Sequence, residues 1–215
     1  CSAFGPADIT FTNPSSNVYT KYTINWGDGT SDFVSNGKWT ATTKKYAIGS
    51  YNLTYTVEGT GTCPTVVRPY RVFVGGGNPA GTIVPPGNTE YLCVGESVTF
   101  PIAGVGGNPP GTTYTITFND GTASVVYDQA TVPASITHTF NKNSCGTNSS
   151  FGGVSYPNSF SASIEIKNPC GTTNGAVVPI RVSEIPTPDF IVATPIVCTN
   201  APATLVDDSK GSAYS

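Results

Sequence analysis

The strongest constraint on this chain is that it repeats itself. Tyr22-Thr23-Ile24-Asn25-Trp26-Gly27-Asp28-Gly29-Thr30 returns as Tyr114-Thr115-Ile116-Thr117-Phe118-Asn119-Asp120-Gly121-Thr122. Upstream, Asp8-Ile9-Thr10-Phe11 returns as Ser97-Val98-Thr99-Phe100 and, more loosely, as Ala203-Thr204-Leu205-Val206. Cys1, Cys93 and Cys198 each precede those segments. Downstream, Ser50 to Val57 matches Ser159 to Ile166, and each is followed by a cysteine (Cys63, Cys170) and a closing apolar segment. The period of roughly 100 residues is that of a small β-domain, so the chain reads as successive copies of one unit. Residues 1–75 form a first unit that lacks its opening strand, 82–184 a whole second unit, and 187–215 the start of a third. Gly75-Gly76-Gly77-Asn78-Pro79-Ala80-Gly81 reads as a flexible linker, and Pro186-Thr187-Pro188 as a shorter, stiffer one.

Within each unit the apolar residues alternate. Tyr22, Ile24 and Trp26 fall on one face of a strand, with Thr23 and Asn25 on the other. Tyr51, Leu53, Tyr55 and Val57 do the same, as do Phe160, Ala162, Ile164 and Ile166. Ile24, Trp26, Ile116 and Phe118 are therefore the expected core residues. The Asp-Gly-Thr that follows breaks the strand, since Gly accepts positive φ and Asp caps turns with its carboxylate. No stretch has a convincing helical period. The expected fold is all-β: tandem Ig-like sandwiches of about seven strands each.

Composition agrees and removes several functions. Charged residues are only 11 % of the chain, against about 25 % in an average soluble protein. Thr, Ser and Asn supply the polarity, with 24 Gly and 18 Pro as punctuation. The net charge of −3 and the absence of any basic cluster exclude a nucleic-acid partner. No apolar run is long enough for a membrane helix, so membrane insertion is not expected. The chain has no Met, begins at a cysteine and shows no leader pattern, and so reads as an internal or processed segment. Its six cysteines form no CxxC pair and there is a single histidine, which favours disulfides in an oxidising compartment over zinc.

Ile24-Asn25-Trp26-Gly27-Asp28-Gly29-Thr30 with its repeat, Lys45-Tyr46 and His138-Thr139-Phe140, and Gly49-Ser50-Tyr51 through Val57 together resemble the three signature segments of PKD domains. Ile stands where the family has Trp, and the second unit has Asn119 in place of the first Gly. Leu92-Cys93-Val94-Gly95-Glu96 and Asn168-Pro169-Cys170-Gly171 look like the cysteine-bearing PKD-like repeats of very large Bacteroidetes surface proteins, gliding-motility adhesins among them. The resemblance implies type IX secretion, display on the outer cell surface and a structural or adhesive role without catalysis. It implies neighbouring repeats of the same chain as partners, with surface polysaccharide or other cell-surface proteins as ligands. An accessory module of a secreted hydrolase and a carbohydrate-binding module remain alternatives.

The residues offer little chemistry. His138 has no nucleophile motif beside it and occupies an ordinary strand position of the unit. Asp28 and Asp120 are equivalent turn caps in different units rather than an acid pair. With Asp207-Asp208 they supply oxygen atoms for calcium but no dense acidic loop. Gly104-Val105-Gly106-Gly107 lacks the lysine and helix of a phosphate loop and reads as a connection. Trp39 lies outside the core pattern, as a loop aromatic over a sandwich edge or as a sugar-stacking residue. No catalytic residue, metal ligand or cofactor is expected.

An Ig-like topology constrains the cysteines. Cys93 precedes the second strand and Cys145 precedes the sixth, which puts both at one end of unit two, while Cys170 follows the sixth strand at the other. That strand spans roughly 25 Å at about 3.3 Å per residue, far beyond the ~7 Å Cα limit of a disulfide. Cys93–Cys145 is the expected bond within unit two, and Cys1–Cys170 the expected bond between units. Cys63 and Cys198 are left for partners in further units.

Overall fold

The computed structural model describes residues 5–59, 61–193 and 196–211, and all its regular structure is strand. Unit one runs through β1 (Ala7–Thr12), β2 (Lys21–Asn25), β3 (Phe33–Ser35), β4 (Ala41–Tyr46), β5 (Gly49–Glu58) and β6 (Val66–Val74). A four-stranded sheet in the order β3-β2-β5-β6 faces the antiparallel pair β1-β4. The repeated Tyr-Thr-Ile segment is β2, which runs beside β5 with Ile24 opposite Tyr55.

Unit two repeats this plan and completes it. It comprises β7 (Thr82–Ile83), β8 (Leu92–Cys93), β9 (Ser97–Ala103), β10 (Thr113–Phe118), β11 (Val125–Asp128), β12 (Ser135–Thr139), β13 (Ser149–Phe151), β14 (Val154–Tyr156), β15 (Phe160–Asn168), β16 (Gly171–Ile180) and β17 (Val182–Ser183). The four-stranded sheet β11-β10-β15-β16 matches that of unit one, and the opposite sheet gains a third strand in the order β12-β9-β7. The extra strand, β7, pairs with β9 through Thr82↔Ala103 and Ile83↔Ile102. In the third unit β18 (Phe190–Val192) pairs with β19 (Leu205–Asp207), and both strands are exposed along their length.

Alternation explains which faces meet. In β9 and β15 every second residue is buried, and the inner residues of the two sheets interdigitate into one cluster that includes Phe100, Ile116, Phe140, Ile164 and Ile180. Unit one has a separate cluster around Tyr22, Ile24, Trp26, Tyr46 and Leu53. Ile24, Trp26, Ile116 and Phe118 are 2, 5, 0 and 4 % exposed. Trp39 departs from the sequence expectation. It is 8 % exposed and belongs to the unit-one core, its ring 5.3 Å from Phe33 and 6.0 Å from Tyr55. It lies on the crossover from β3 in one sheet to β4 in the other, a path that period-two patterning does not describe.

Truncating Phe118 to Ala empties a ring site walled by Phe100, His138 and Phe140. A loss of about 3–5 kcal/mol in unfolding free energy is expected by denaturant titration. A loss below about 1 kcal/mol would mean the two sheets close readily over the gap.

Candidate functional site

Three local arrangements stand out: a charged clamp repeated in both units, the cysteine positions, and the joint between units one and two.

The clamp is built on the Asp-Gly-Thr turn. In unit one the Asp28 carboxylate accepts from the Thr30 amide at 3.0 Å and the Thr30 hydroxyl at 2.6 Å, and Lys44 Nζ lies 2.9 Å away. Lys44 comes from β4 in the facing sheet, and its ammonium also sits over the Trp26 ring at 5.8 Å. In unit two Asp120 caps Thr122 in the same way, and its other oxygen lies 2.7 Å from His138 Nε2. An ionised carboxylate only accepts, so Nε2 carries the proton and donates. The His138 ring stacks on Phe118 with centroids 3.8 Å apart. Lys44 and His138 are equivalent by register, each two residues before the aromatic that ends its segment (Tyr46, Phe140). The same position thus carries a different nitrogen donor over a different aromatic, with one result: strand and turn in one sheet are tied to the other. Gly27 lets the chain pass at a φ of 72°, where a Cβ would lie 2.1 Å from the Asn52 carbonyl oxygen. In unit two the Asn119 side chain instead accepts from the Ser161 amide at 2.6 Å.

Burial pushes the Asp28 carboxyl up, but the Thr30 hydroxyl, Lys44 and the Thr30 amide together outweigh it and hold the group at about 2. Asp120 is also lowered: burial opposes, and the Thr122 amide, His138 and the Thr122 hydroxyl prevail. Among the described residues no three His, Cys, Asp or Glu side chains converge on a metal position.

The cysteines correct one expectation. Cys93 and Cys145 are both free thiols. They do share one end of unit two, but β17 lies between them. The Leu92 and Val94 amides donate to Arg181 and Ser183 carbonyls on one side of β17, while the Ser144 amide donates to the Val182 carbonyl on the other. Two strand spacings separate the cysteine-bearing segments by roughly 9–10 Å, more than a disulfide spans. Cys63 and Cys198 are free and exposed. Cys170 is disulfide-bonded, and Cys1, with which it was expected to pair, lies outside the described residues.

The glycine-rich linker is strapped down rather than loose. Asn108, buried in the Gly104–Pro109 connection, accepts from the Ala80 amide at 2.8 Å. Its Nδ2 donates to the Ala80 carbonyl at 2.6 Å and to the Tyr114 hydroxyl at 2.8 Å. One side-chain amide thereby pairs with both backbone groups of Ala80, as a neighbouring strand would. The Thr173 hydroxyl donates to the Pro79 carbonyl at 2.6 Å, and Cys170 Sγ lies 3.5 Å from the Gly75 carbonyl oxygen. Gly171 admits Asn78 so closely that a Cβ would stand 1.9 Å from its Oδ1. Nothing in the composition of the Gly104–Pro109 loop marks Asn108 for this role. Its signal is positional, a lone amide beside a buried tyrosine.

No family model matches the chain, and no curated protein does. Among solved structures, the fibronectin(III)-like modules of Clostridium thermocellum CbhA are 12 % identical over 84 % of this chain and 88 % of theirs, with a TM-score of 0.34. The FN1–FN3 domains of chicken CNTN1 are 10 % identical over 97 % of this chain and 83 % of theirs, with a TM-score of 0.26. The chain is a tandem array of Ig-like β-sandwich units, as its strand order states directly.

The clamp has a measurable pH signature. A depressed carboxyl contributes stability above its ordinary value and loses it as pH falls through the folded value. For Asp28 that window runs from 3.8 down to about 2. The Asp28→Asn variant is expected to flatten the acid limb of a stability-against-pH curve in that window. An unchanged acid limb would show that Lys44 and Thr30 do not bias its ionisation. Asp120→Ala is expected to cost roughly 1.5–3 kcal/mol near neutral pH, because His138 and the Thr122 amide lose a charged acceptor.

Proposed function

We propose that this chain is a non-catalytic structural segment of a secreted adhesin, of the PKD-like type borne by Bacteroidetes surface proteins such as the gliding adhesin SprB. Export by type IX secretion and display on the outer surface belong to the same reading. The observation that carries it is the joint. A glycine-rich linker fastened by Asn108 and Thr173 makes two sandwiches a strut instead of beads on a flexible string. A strut suits a stalk that holds a binding tip away from the cell under load. The neighbouring repeats are its first partners, and surface polysaccharide or other cell-surface proteins are ligands of the whole adhesin. The burial of Trp39 against Phe33 and Tyr55 leaves no exposed face of that ring for stacking on a sugar. The Cys1–Cys170 bond belongs to this proposal as the covalent part of the joint, and Cys63 and Cys198 as links to further units.

Small-angle scattering of the native chain against Asn108→Ala/Thr173→Val tests the strut. The double variant is expected to broaden the distribution of inter-unit distances while both units stay folded by circular dichroism. Equal distributions would mean these bonds do not set the joint. Non-reducing peptide mapping is expected to recover a Cys1–Cys170 crosslink, and a Cys1–Cys63 crosslink would refute that pairing.

A further inference from the structure

The outer face of the four-stranded sheet in unit two carries a groove of about 460 Å³, a size ordinary for a small-ligand site. Period-two alternation decides what lines its floor. The inward residues of β10, β15 and β16 are spent on the core, so their outward neighbours meet here in register. Thr115 stands opposite Glu165, which stands opposite Asn174. In the next row Thr117 stands opposite Ser163, which stands opposite Ala176. These side chains are spaced about 5 Å apart across strands and about 7 Å along them, the scale of a single sugar ring. A β-bulge between Phe160 and Ala162 interrupts the alternation at Ser161, a device that re-aims a side chain.

One wall of the groove is an insertion. Unit one passes from β4 to β5 through Ala47 and Ile48 alone, whereas unit two passes from β12 to β15 through residues 140–159, which include the β13–β14 hairpin. β13 packs beside β15 and β16 without joining their ladder. Gly152 and Gly153, at φ 61° and 82°, close the hairpin between Phe151 and Val154 in the two-residue turn that suits twisted strands. The base of the hairpin is fixed as firmly. Buried Ser149 and Ser159 hold their hydroxyls 2.6 Å apart, the Ser159 hydroxyl donates to the Tyr156 carbonyl at 2.9 Å, and the Ser159 amide donates to the Thr147 carbonyl. A rigid hairpin thus holds Ser150 and Phe151 against the groove. Phe151 is 43 % exposed, and no other ring packs on it among the described residues.

The polar groups of this groove are uncommitted. The side chains of Thr115, Ser150, Ser161, Glu165 and Asn174 make no hydrogen bond or ion pair with any partner among the described residues. Single surface groups of this kind are solvated and ordinary, but here they line one concave face beside an open aromatic ring. Among the described residues no lysine, arginine or histidine lines the groove, so it lacks the cation that would hold a phosphate, a sulfate or a uronate. Sugar hydroxyls both donate and accept, and so pair with serine and threonine hydroxyls, the Asn174 amide and the Glu165 carboxylate alike. The apolar C–H face of the same sugar ring suits the open face of Phe151.

We propose that this groove binds a neutral oligosaccharide, with Phe151 as the stacking platform and Glu165 and Asn174 as the facing hydrogen-bonding pair. It supplies the open aromatic face that buried Trp39 does not. The strut neither requires nor excludes such a site, because other side chains, Asn108 and Thr173, hold the joint.

An amide-resolved NMR titration of the whole chain tests this, with gluco-, manno-, galacto- and xylotetraoses as probes and tetragalacturonate as the acidic control. Saturable shifts with at least one neutral sugar, at a dissociation constant of about 1 mM or tighter, are expected at Ser150, Phe151, Ser163, Glu165 and Asn174. Phe151→Ala and Glu165→Ala/Asn174→Ala alter only exposed side chains outside the core. Each is expected to weaken binding about tenfold or more, while amide shifts away from the groove stay in place and report an intact fold. No saturable shift with any neutral sugar, or shifts confined to other faces, overturns the proposal. Tighter binding of tetragalacturonate than of every neutral sugar overturns the neutral class of ligand. Binding unchanged in both variants overturns these residues as its contacts.

Discussion

A two-sheet sandwich has an open side wherever its first strand has not been laid down, and closing that side is the constraint on which this molecule turns. In unit two the closure is made by a strand of only two residues, Thr82–Ile83, yet it seals a great deal. Ile83 enters the core, Thr82 covers Gly175, and Gly81 packs against Ile166 and Val105. So small an element is stable there because it is anchored at both sides. Asn108 and Thr173 hold Ala80 and Pro79 just ahead of it, and the Val84 amide follows with a bond to Pro101.

The clamp shows what a repeat keeps when its sequence drifts. Lysine and histidine differ in size and geometry, yet both place a nitrogen donor between a turn carboxylate and an aromatic face. The physical requirement is a hydrogen-bond donor from the facing sheet for a carboxylate largely withdrawn from water. Thr30 and Thr122 meet the remaining oxygen lone pairs in the same way. The pair contributes by fixing orientation between sheets more than by its Coulomb energy, since breaking one partner strands the other away from water. The His138 ring lies flat on Phe118 with its Nε2 on Asp120.

Much of this was legible in the residues, and what was not has specific causes. Period-two alternation reports inward faces, so Ile24, Trp26, Ile116 and Phe118 could be placed in the cores of β2 and β10 from the pattern alone. Asp28 and Asp120 could be read as turn caps, because an Asp followed by Gly-Thr has few other uses. Trp39 could not, since it reaches the core from a crossover with no alternation to reveal it. Cys93 and Cys145 stay apart for a geometric reason: they share one end of unit two, but β17 extends past β16 and inserts between their segments. End assignment follows from topology, whereas lateral order within an end depends on one extra pair of residues. The Asn108 amide belongs to the same class, a local solution whose partner, Ala80, is far away in sequence.

The strapped joint changes how the units depend on one another. If a linker is free, each sandwich unfolds alone and the chain behaves as independent beads. Here the linker residues Asn78 to Ala80 run directly into β7, the strand that closes unit two. Pulling the linker away from Asn108 and Thr173 therefore acts on β7 as well. Tension along the proposed stalk would meet the side-chain bonds of Ala80 and Pro79 before it reached the two β7–β9 pairs. Cys170, beside the Gly75 carbonyl, stands upstream of all of these. A covalent bond at that point would carry load around the linker, so that the weakest strand of the sandwich is shielded by the joint that precedes it.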